Sequence, residues 1–465
     1  MIQGSSAGAS DGTIASAPRR ALVSWALFDW AAQPFYTLVL TFLFAPYFAS
    51  VVVGDAARGQ SLWGYGAAAA GILIAIGSPL LGAMADGRGR RKPWVALFAV
   101  LLIASLAALW FATPQSSSGV LAFILVAFVV ATAAAEFMSV FVNAMMPGLV
   151  PPSQLGRLSG IGWATGYAGG LVSLAIMAGL VVAGTTTGKT IIGLDPIVAL
   201  DAASHQADRL AGPFAAAWFA VFVIPFFLFV PDIKSVSLKG SGERRGPFVE
   251  LWDTIRSLPS HPSMLFFLIA RMIYSDGLSA IFAFGGIYGT SVFGWGALEL
   301  GLFGIALTLT GVFGATIGGF ADDRAGSKTV IMVSLAILVI GALGILSVDR
   351  THVLYSIEVT QKAAGSAVFS SAGERVFLAF AVLVGLVAAP VQSASRALLA
   401  RLAPPGKVTQ YFGLFAFSGK VTAFMAPLMV AAITQATGDQ RLGMASIVLF
   451  LIAGMALMLP VRENK

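Results

Sequence analysis

Long apolar runs alternate with short polar interruptions along the whole chain. A helix that crosses a bilayer needs roughly 20 mostly apolar residues. The first half offers six such runs, at 21–50, 62–85, 93–112, 119–147, 159–184 and 213–231. The second half offers six more, at 262–292, 298–321, 328–348, 375–400, 409–435 and 442–460. These runs are too long for barrel strands and lack the alternation that a barrel wall needs, so all twelve are predicted as helices. The predicted fold class is an all-α polytopic membrane protein with twelve transmembrane helices in two six-helix bundles. Residues 21–231 form the first bundle and 261–460 the second, with tails at 1–20 and 461–465 and a linker at 232–260.

The linker has its own pattern. Phe248, Leu251, Trp252, Ile255 and Leu258 share one helical face, and Glu250, Asp253 and Arg256 lie off it. Such a segment reads either as an amphipathic helix lying on the membrane surface or as one packed under the bundle. Residues 1–20 are rich in Gly, Ser and Ala, lack the apolar core of a cleavable signal, and are expected to be disordered.

Composition strengthens the membrane reading. Of the 465 residues, 58% are hydrophobic and only 11% charged, with a mean hydropathy of +0.88. Soluble domains carry about 25% charged residues, so the main partner of this surface is the lipid bilayer. The net charge of +7 could suggest nucleic acid, but the basic residues cluster at Arg19-Arg20, at Arg88 to Lys92 and from Lys234 to Arg256. All three clusters fall on one side of the membrane if both termini are cytoplasmic, which satisfies the positive-inside rule and leaves no role for nucleic acid. Trp94 and Trp110 sit near opposite ends of one run, where interfacial anchors belong. There is no cysteine, which excludes disulfides and cysteine metal sites, and His205, His261 and His352 all fall in predicted loops. No metal, cofactor or enzymatic activity is expected. Two motifs are decoys. Gly184 to Thr190 imitates a phosphate-binding loop but is one residue short and follows a spanning run, and Gly4 to Gly8 spells a nucleophile elbow inside the tail.

The two halves repeat each other's punctuation. Gly82, Asp86 and Lys92 follow the second run, and Gly318, Asp322 and Lys328 follow the eighth. Pro151-Pro152 precedes Gly160 as Pro404-Pro405 precedes Gly413. Two parallel six-helix repeats are a layout of secondary transporters with a midplane site between the halves. The Gly82–Lys92 loop resembles the signature between the second and third helices of the major facilitator superfamily, with Gly87 where a basic residue is usual. Trp25 to Trp30, Phe141 to Pro147, Arg157 to Gly170, Tyr274 to Gly277 and Arg401 to Gly406 resemble the vacuole-effluxer-like branch of that superfamily. The resemblance covers nearly the whole chain. It implies the major facilitator fold, and a conformational clamp in which Asp86, Arg90 and Arg91, with Asp322 in the second copy, hold neighbouring helix ends.

Ionisable groups within the runs are the strongest functional pointers, because each costs about 2.5–3.5 kcal/mol at mid-helix if it faces lipid. Five stand out: Asp29, Glu136, Arg271, Asp276 and Lys420. At 1.5 Å per residue, Asp29 lies about 12 Å from the cytoplasmic end, Glu136, Arg271 and Lys420 about 13–17 Å, and Asp276 about 21 Å. Gln33 and Tyr36 share a helical face with Asp29, and Asn143 shares one with Glu136. Gln392 and Arg396 form an i, i+4 pair near the cytoplasmic end of the tenth run.

This constellation has two readings. One is a polar cavity in which Arg271 and Lys420 take a carboxylate while Asp29 or Glu136 takes an ammonium group or a coupling proton; Gln33, Tyr36, Asn143, Asp276 and Gln392 complete the set. The other is a set of ion pairs that lock one state. Gly162, Gly166 and Gly170, and Gly314 with Gly318, form small-residue ridges for close helix approach, either between halves or within one. The expected function is alternating-access transport of a small polar solute, such as an amino acid, by a monomer in the bacterial inner membrane, with protons as a candidate coupling ion. Efflux of hydrophobic or amphiphilic compounds is the alternative, and a receptor or enzyme without transport is the reading from another class.

Overall fold

The computed structural model describes residues 15–183, 188–232, 246–361 and 366–463. Most of the N-terminal tail, including Gly4 to Gly8, part of the Gly184 loop and the basic stretch 233–245 lie outside them. Among the described residues, eleven helices are long and apolar enough to cross a membrane. The first six spans are Arg19–Val52, Ala56–Gly87, Lys92–Phe111, Ser118–Gly148, Pro152–Val181 and Gln206–Phe229. The seventh to tenth are Pro262–Phe293, Leu298–Ala325, Ser327–Leu346 and Ala372–Leu402, and the last is Gln440–Met458.

The eleventh segment departs from the continuous helix that its hydropathy predicts. It consists of two helices, Val408–Ser418 and Met425–Thr437, joined by an irregular turn at 419–424. Hydropathy measures how apolar a run is, and a broken helix can be as apolar as an intact one. The first span is also irregular. Pro34 lacks an N–H, and after it the helix widens to π geometry from Phe35 to Phe42. Such widenings are frequent at functional sites. A short antiparallel hairpin in the loop after the ninth span, His352–Val353 against Ile357–Glu358, has no counterpart in the sequence reading.

The helix Pro247–Ser257 forms where the amphipathic pattern places it. One edge docks on the start of the eleventh segment: the hydroxyl of fully buried Thr254 donates to Gln410 Oε1 at 3.2 Å and accepts from Lys407 Nζ at 3.1 Å. Phe248, Trp252 and Ile255 on the other edge stay exposed.

The halves meet where the fifth span packs on the eighth and the second packs on the eleventh. Glycine permits both contacts. A Cβ at Gly160 would meet the Ala315 carbonyl and lie 2.7 Å from Gly319 Cα, and one at Gly82 would lie 2.6 Å from the Thr409 carbonyl. Of the two packings that the sequence leaves open for the ridges, the one within a half prevails, except that Gly162 meets Arg396 of the tenth span as well as Asp29. Gly166 and Gly170 pack against Asp29, Gln33 and Thr37 of the first span, and Gly314 and Gly318 pack against Leu386 and Pro390 of the tenth. They tighten each half, whereas Gly156, Gly160 and Gly319 form the close approach between halves. The reason is rotational: four-residue spacing defines a helical stripe but not the neighbour it faces.

Candidate functional site

The inter-half seams named above lie at the end of the molecule that carries the basic loops. Asp86, in the last turn of the second span, accepts from the Thr409 hydroxyl at 2.6 Å and the Gln410 N–H at 2.9 Å. Those groups belong to the first turn of the eleventh segment, where free N–H groups favour a carboxylate. Arg91 completes the joint, 3.3 Å from Asp86 and donating to Thr409 Oγ1 at 2.8 Å. Arg90 is exposed and forms no ion pair among the described residues.

The second copy works with the roles shifted by one residue. Asp322 is buried and pairs within its own half, with Arg401 at 2.6 Å and the Ser327 hydroxyl at 2.7 Å. Its neighbour Asp323 reaches the other half, accepting from the Arg157 N–H at 3.1 Å in the first turn of the fifth-span helix. Arg401 also crosses, donating to the Pro152 carbonyl at 3.2 Å. Behind each joint an acid that follows the last span of its half caps the next helix. Asp232 accepts from the Arg91 N–H at 3.0 Å, and Glu463 accepts from the Ser327 N–H at 3.0 Å and the Lys328 N–H at 2.9 Å. Asp323, Arg157, Arg401, Asp232 and Glu463 are absent from the sequence-derived gate. For Asp232 and Glu463 the signal was available as an acid shortly after Pro231 and after Pro460.

Beyond the sealed end, a cavity of about 780 Å³ lies between the halves. Asp29, Gln33, Tyr36, Glu136, Asn143, Arg271, Gln392 and Lys420 all line it. Its floor holds Arg396, Ser395 and Asn143, and its lining runs on to Phe42, Leu300 and Gly304 near the opposite ends of the first and eighth spans. Asp276 is not in the lining. It sits behind the wall, 2% exposed.

Two ion pairs cross the cavity. Lys420 Nζ lies 3.1 Å from Glu136 Oε1, with side chains 34% and 23% exposed. Arg396 Nη1 lies 3.1 Å from both Asp29 Oδ2 and Asn143 Oδ1. Arg396 also donates to Ser159, at 2.8 Å to the hydroxyl and 2.6 Å to the carbonyl, and its guanidinium carbon sits 5.1 Å from the centre of the Trp25 ring. Every arm of this guanidinium is occupied, so Arg396 ties the tenth span to the first, fourth and fifth. In the sequence Arg396 lies near the end of its span, and its i, i+4 relation to Gln392 is the only sign of this role.

Arg271 lines the cavity and also has a structural task. Its guanidinium donates to the Phe415 carbonyl and, at 2.8 Å, to the Ser418 hydroxyl, and its carbon lies 3.3 Å from the Phe415 ring centre. It therefore caps the carbonyl end of the helix that stops at Ser418, where a cation is favoured. Gly419 follows, and a Cβ there would lie 2.9 Å from Arg271 Nη1. The break in the eleventh segment and the buried arginine stabilise each other.

Comparison with known proteins gives the architecture its lineage. The model of the family described as vacuole effluxer Atg22 like matches residues 50–465. The chain is 25% identical over 445 residues to the uncharacterized MFS-type transporter YxiO of Bacillus subtilis, covering 95% of this chain and 94% of that one. It is 27% identical over 316 residues to autophagy-related protein 22 of Cryptococcus neoformans, covering 66% of this chain and 52% of that protein, so it spans about half the length of that fungal relative. Among solved structures it superposes on the transporter FucP in its outward conformation, with a TM-score of 0.68 at 13% identity, covering 96% of this chain and 99% of that one. It also superposes on the human organic anion transporter MFSD10, with a TM-score of 0.65 at 14% identity over 95% and 99% of the two chains. An integral membrane protein with two bundles of spans around a central cavity, the chain belongs to the vacuole effluxer Atg22-like family of major facilitator transporters.

Proposed function

We propose that this transporter carries a small zwitterion, an amino acid or a close relative, through the central cavity by alternating access. The observation that carries the reading is the half-exposed Lys420–Glu136 pair, one charge from each half, on the cavity wall. A zwitterion offers both partners at once: its carboxylate takes Lys420 and its ammonium group takes Glu136. Binding then replaces one inter-half ion pair by two contacts through the solute, and a solute with one charge leaves the other residue unpaired. Arg396 holds the frame, because all three of its nitrogens are engaged, and Arg271 holds the Ser418 helix end through Nη1.

With the basic loops cytoplasmic, as the positive-inside rule requires, the sealed end faces the cytoplasm and the cavity belongs to the outward-facing state. A thermal-shift screen of the purified protein against amino acids, peptides, sugars and amphiphiles tests the reading. Amino acids raise the melting temperature of the wild type, and Lys420→Met and Glu136→Gln abolish the response. Stabilisation by amphiphiles alone, unchanged in Lys420→Met, defeats the proposal.

That second outcome has its own supporting observation. Away from its charged floor the cavity wall is aliphatic and aromatic, with Leu171, Leu174, Phe282, Phe303 and Leu307. Such a wall suits efflux of an amphiphile, with the ion pairs serving only to lock the halves.

A further inference from the structure

Asp276 is the intramembrane acid that neither ion pair explains. It lies on the seventh span, 2% exposed, and its Oδ2 has no hydrogen-bond partner in the protein. The hydroxyl oxygen of Thr422, in the 419–424 turn that breaks the eleventh segment, is likewise buried and unpartnered. Thr422 and Arg271 are the polar neighbours of Asp276. Arg271 is held by the Phe415 carbonyl and Ser418. Tyr274 bonds Ser395 at 2.7 Å. The last span meets this turn of the seventh at Gly277 with Ile447, Phe450 and Leu451, and the helix Met425–Thr437 has no ionisable side chain. On the tenth span, Arg396 is held by Asp29, Asn143 and Ser159. Asp276 therefore forms no ion pair among the described residues, and a lone charge at such a site is costly.

We propose that Asp276 holds a proton in this conformation, donated in a hydrogen bond to Thr422, and that this is the transporter's coupling-proton site. A single hydrogen bond between them satisfies both oxygens whichever group donates, and what calls for the proton is the unpaired charge that a carboxylate would leave in this buried place. A metal cation fits less well, since hard cations take six or more oxygen ligands and these two side chains offer three. Asp29 and Glu136 are poorer carriers, each already held by a base at 3.1 Å.

The site also has a mechanical outlet. When the proton leaves for water, a carboxylate remains five residues from Arg271 on the same helix. The guanidinium then has a new acceptor competing with Phe415 and Ser418, and its hold on the broken segment loosens. Lys420, two residues before Thr422, moves with the turn relative to Glu136. Loss of the proton thus weakens the inter-half pair that binds the solute. The coupling role rests on the transporter reading above; the proton itself does not.

Infrared spectroscopy of the purified full chain, without solute, tests this directly. At neutral pH the wild type shows a neutral-carboxyl stretch that shifts in heavy water; Asp276→Asn lacks it, while Asp29→Asn and Glu136→Gln keep it. Thr422→Val retains the band at a shifted position, because the acid has lost its acceptor. The wild-type melting temperature falls as pH is raised from mildly acidic to mildly alkaline, and that of Asp276→Asn, which mimics the neutral acid, falls less. Absence of the band from the wild type, or its persistence in Asp276→Asn, overturns the proposal. So does stabilisation by sodium chloride over potassium chloride that disappears in Asp276→Asn, which assigns a sodium ion instead. Failure of the band removes the proton site and leaves the transporter reading standing; failure of amino-acid binding with the band intact does the reverse.

Discussion

Lys420 and Glu136 face each other across the central cavity at 3.1 Å, one contributed by each half of the molecule. Both remain partly exposed, so the pair contributes less to stability than a buried one and is open to exchange with a solute. Neutralising either residue is expected to weaken amino-acid binding at least about tenfold, roughly 1.4 kcal/mol, with little change in melting temperature. Exchanging the charges in Lys420→Glu with Glu136→Lys restores part of the affinity. Calorimetry on the three variants checks the order.

Arg396 carries the opposite expectation. Its side chain is 6% exposed, and its removal leaves the partly exposed Asp29 and the Ser159 carbonyl without their partner. Breaking a fully buried pair costs about 3–5 kcal/mol; here only the Arg396 side is buried, so Arg396→Ala lowers the melting temperature by part of that, and by more than loss of Lys420 does. Arg396→Lys rescues little, because one ammonium cannot reach Asp29, Asn143 and both oxygens of Ser159. Thermal unfolding in detergent or nanodiscs distinguishes the two variants.

The joint at Asp86 is expected to set the conformational balance. The chain has no cysteine, so two spin labels at Gly87→Cys and Pro405→Cys report the width of the sealed end without background labelling. The wild type gives one short distance. Asp86→Asn keeps the Thr409 and Gln410 geometry but loses the charge, and adds a longer-distance population.

Gly160 tests the seam between halves. A leucine there drives carbon into the Ala315 carbonyl and Gly319, and overpacking of this kind costs about 1–3 kcal/mol. Gly160→Leu therefore shifts the same label pair towards the longer distance and slows transport in liposomes, while Gly71→Leu, in open space, changes neither.

Outside the membrane, Asp349 ties the loop after the ninth span to Arg441 at 3.1 Å. Burial by itself pushes its carboxyl up, but the N–H groups of Thr351 and His352, the Thr351 hydroxyl and Arg441 outweigh it and hold the group at about 2. A carboxyl held below its unfolded value, about 3.9, contributes stability above that value and loses it as pH falls through about 2. The melting temperature is expected to fall across that window. Arg441→Ala raises the lower edge of the window and lowers the melting temperature at neutral pH.

The spans and the repeated Asp86 and Asp322 loops were legible because lipid exposure and turn chemistry act on local sequence. The charged residues of the cavity were legible because a buried charge stands out in an apolar run. Their pairings were not. Asp29 and Arg396 are far apart in sequence, and only packing rotates them together. The break after Ser418 was hidden for a related reason: its stabilising partner, Arg271, sits on another span. Asp323 was passed over for Asp322 because spelling aligned the repeats one residue away from the side chain that reaches the other half.

The grip between the halves is reciprocal. Asp86 of the first half holds the opening turn of a helix in the second, and Asp323 of the second holds the opening turn of a helix in the first. Two such handclasps, set apart across the approximate symmetry axis, resist different movements. With both closed, the floor can neither tilt nor swivel. Release of one alone would leave the other as a pivot.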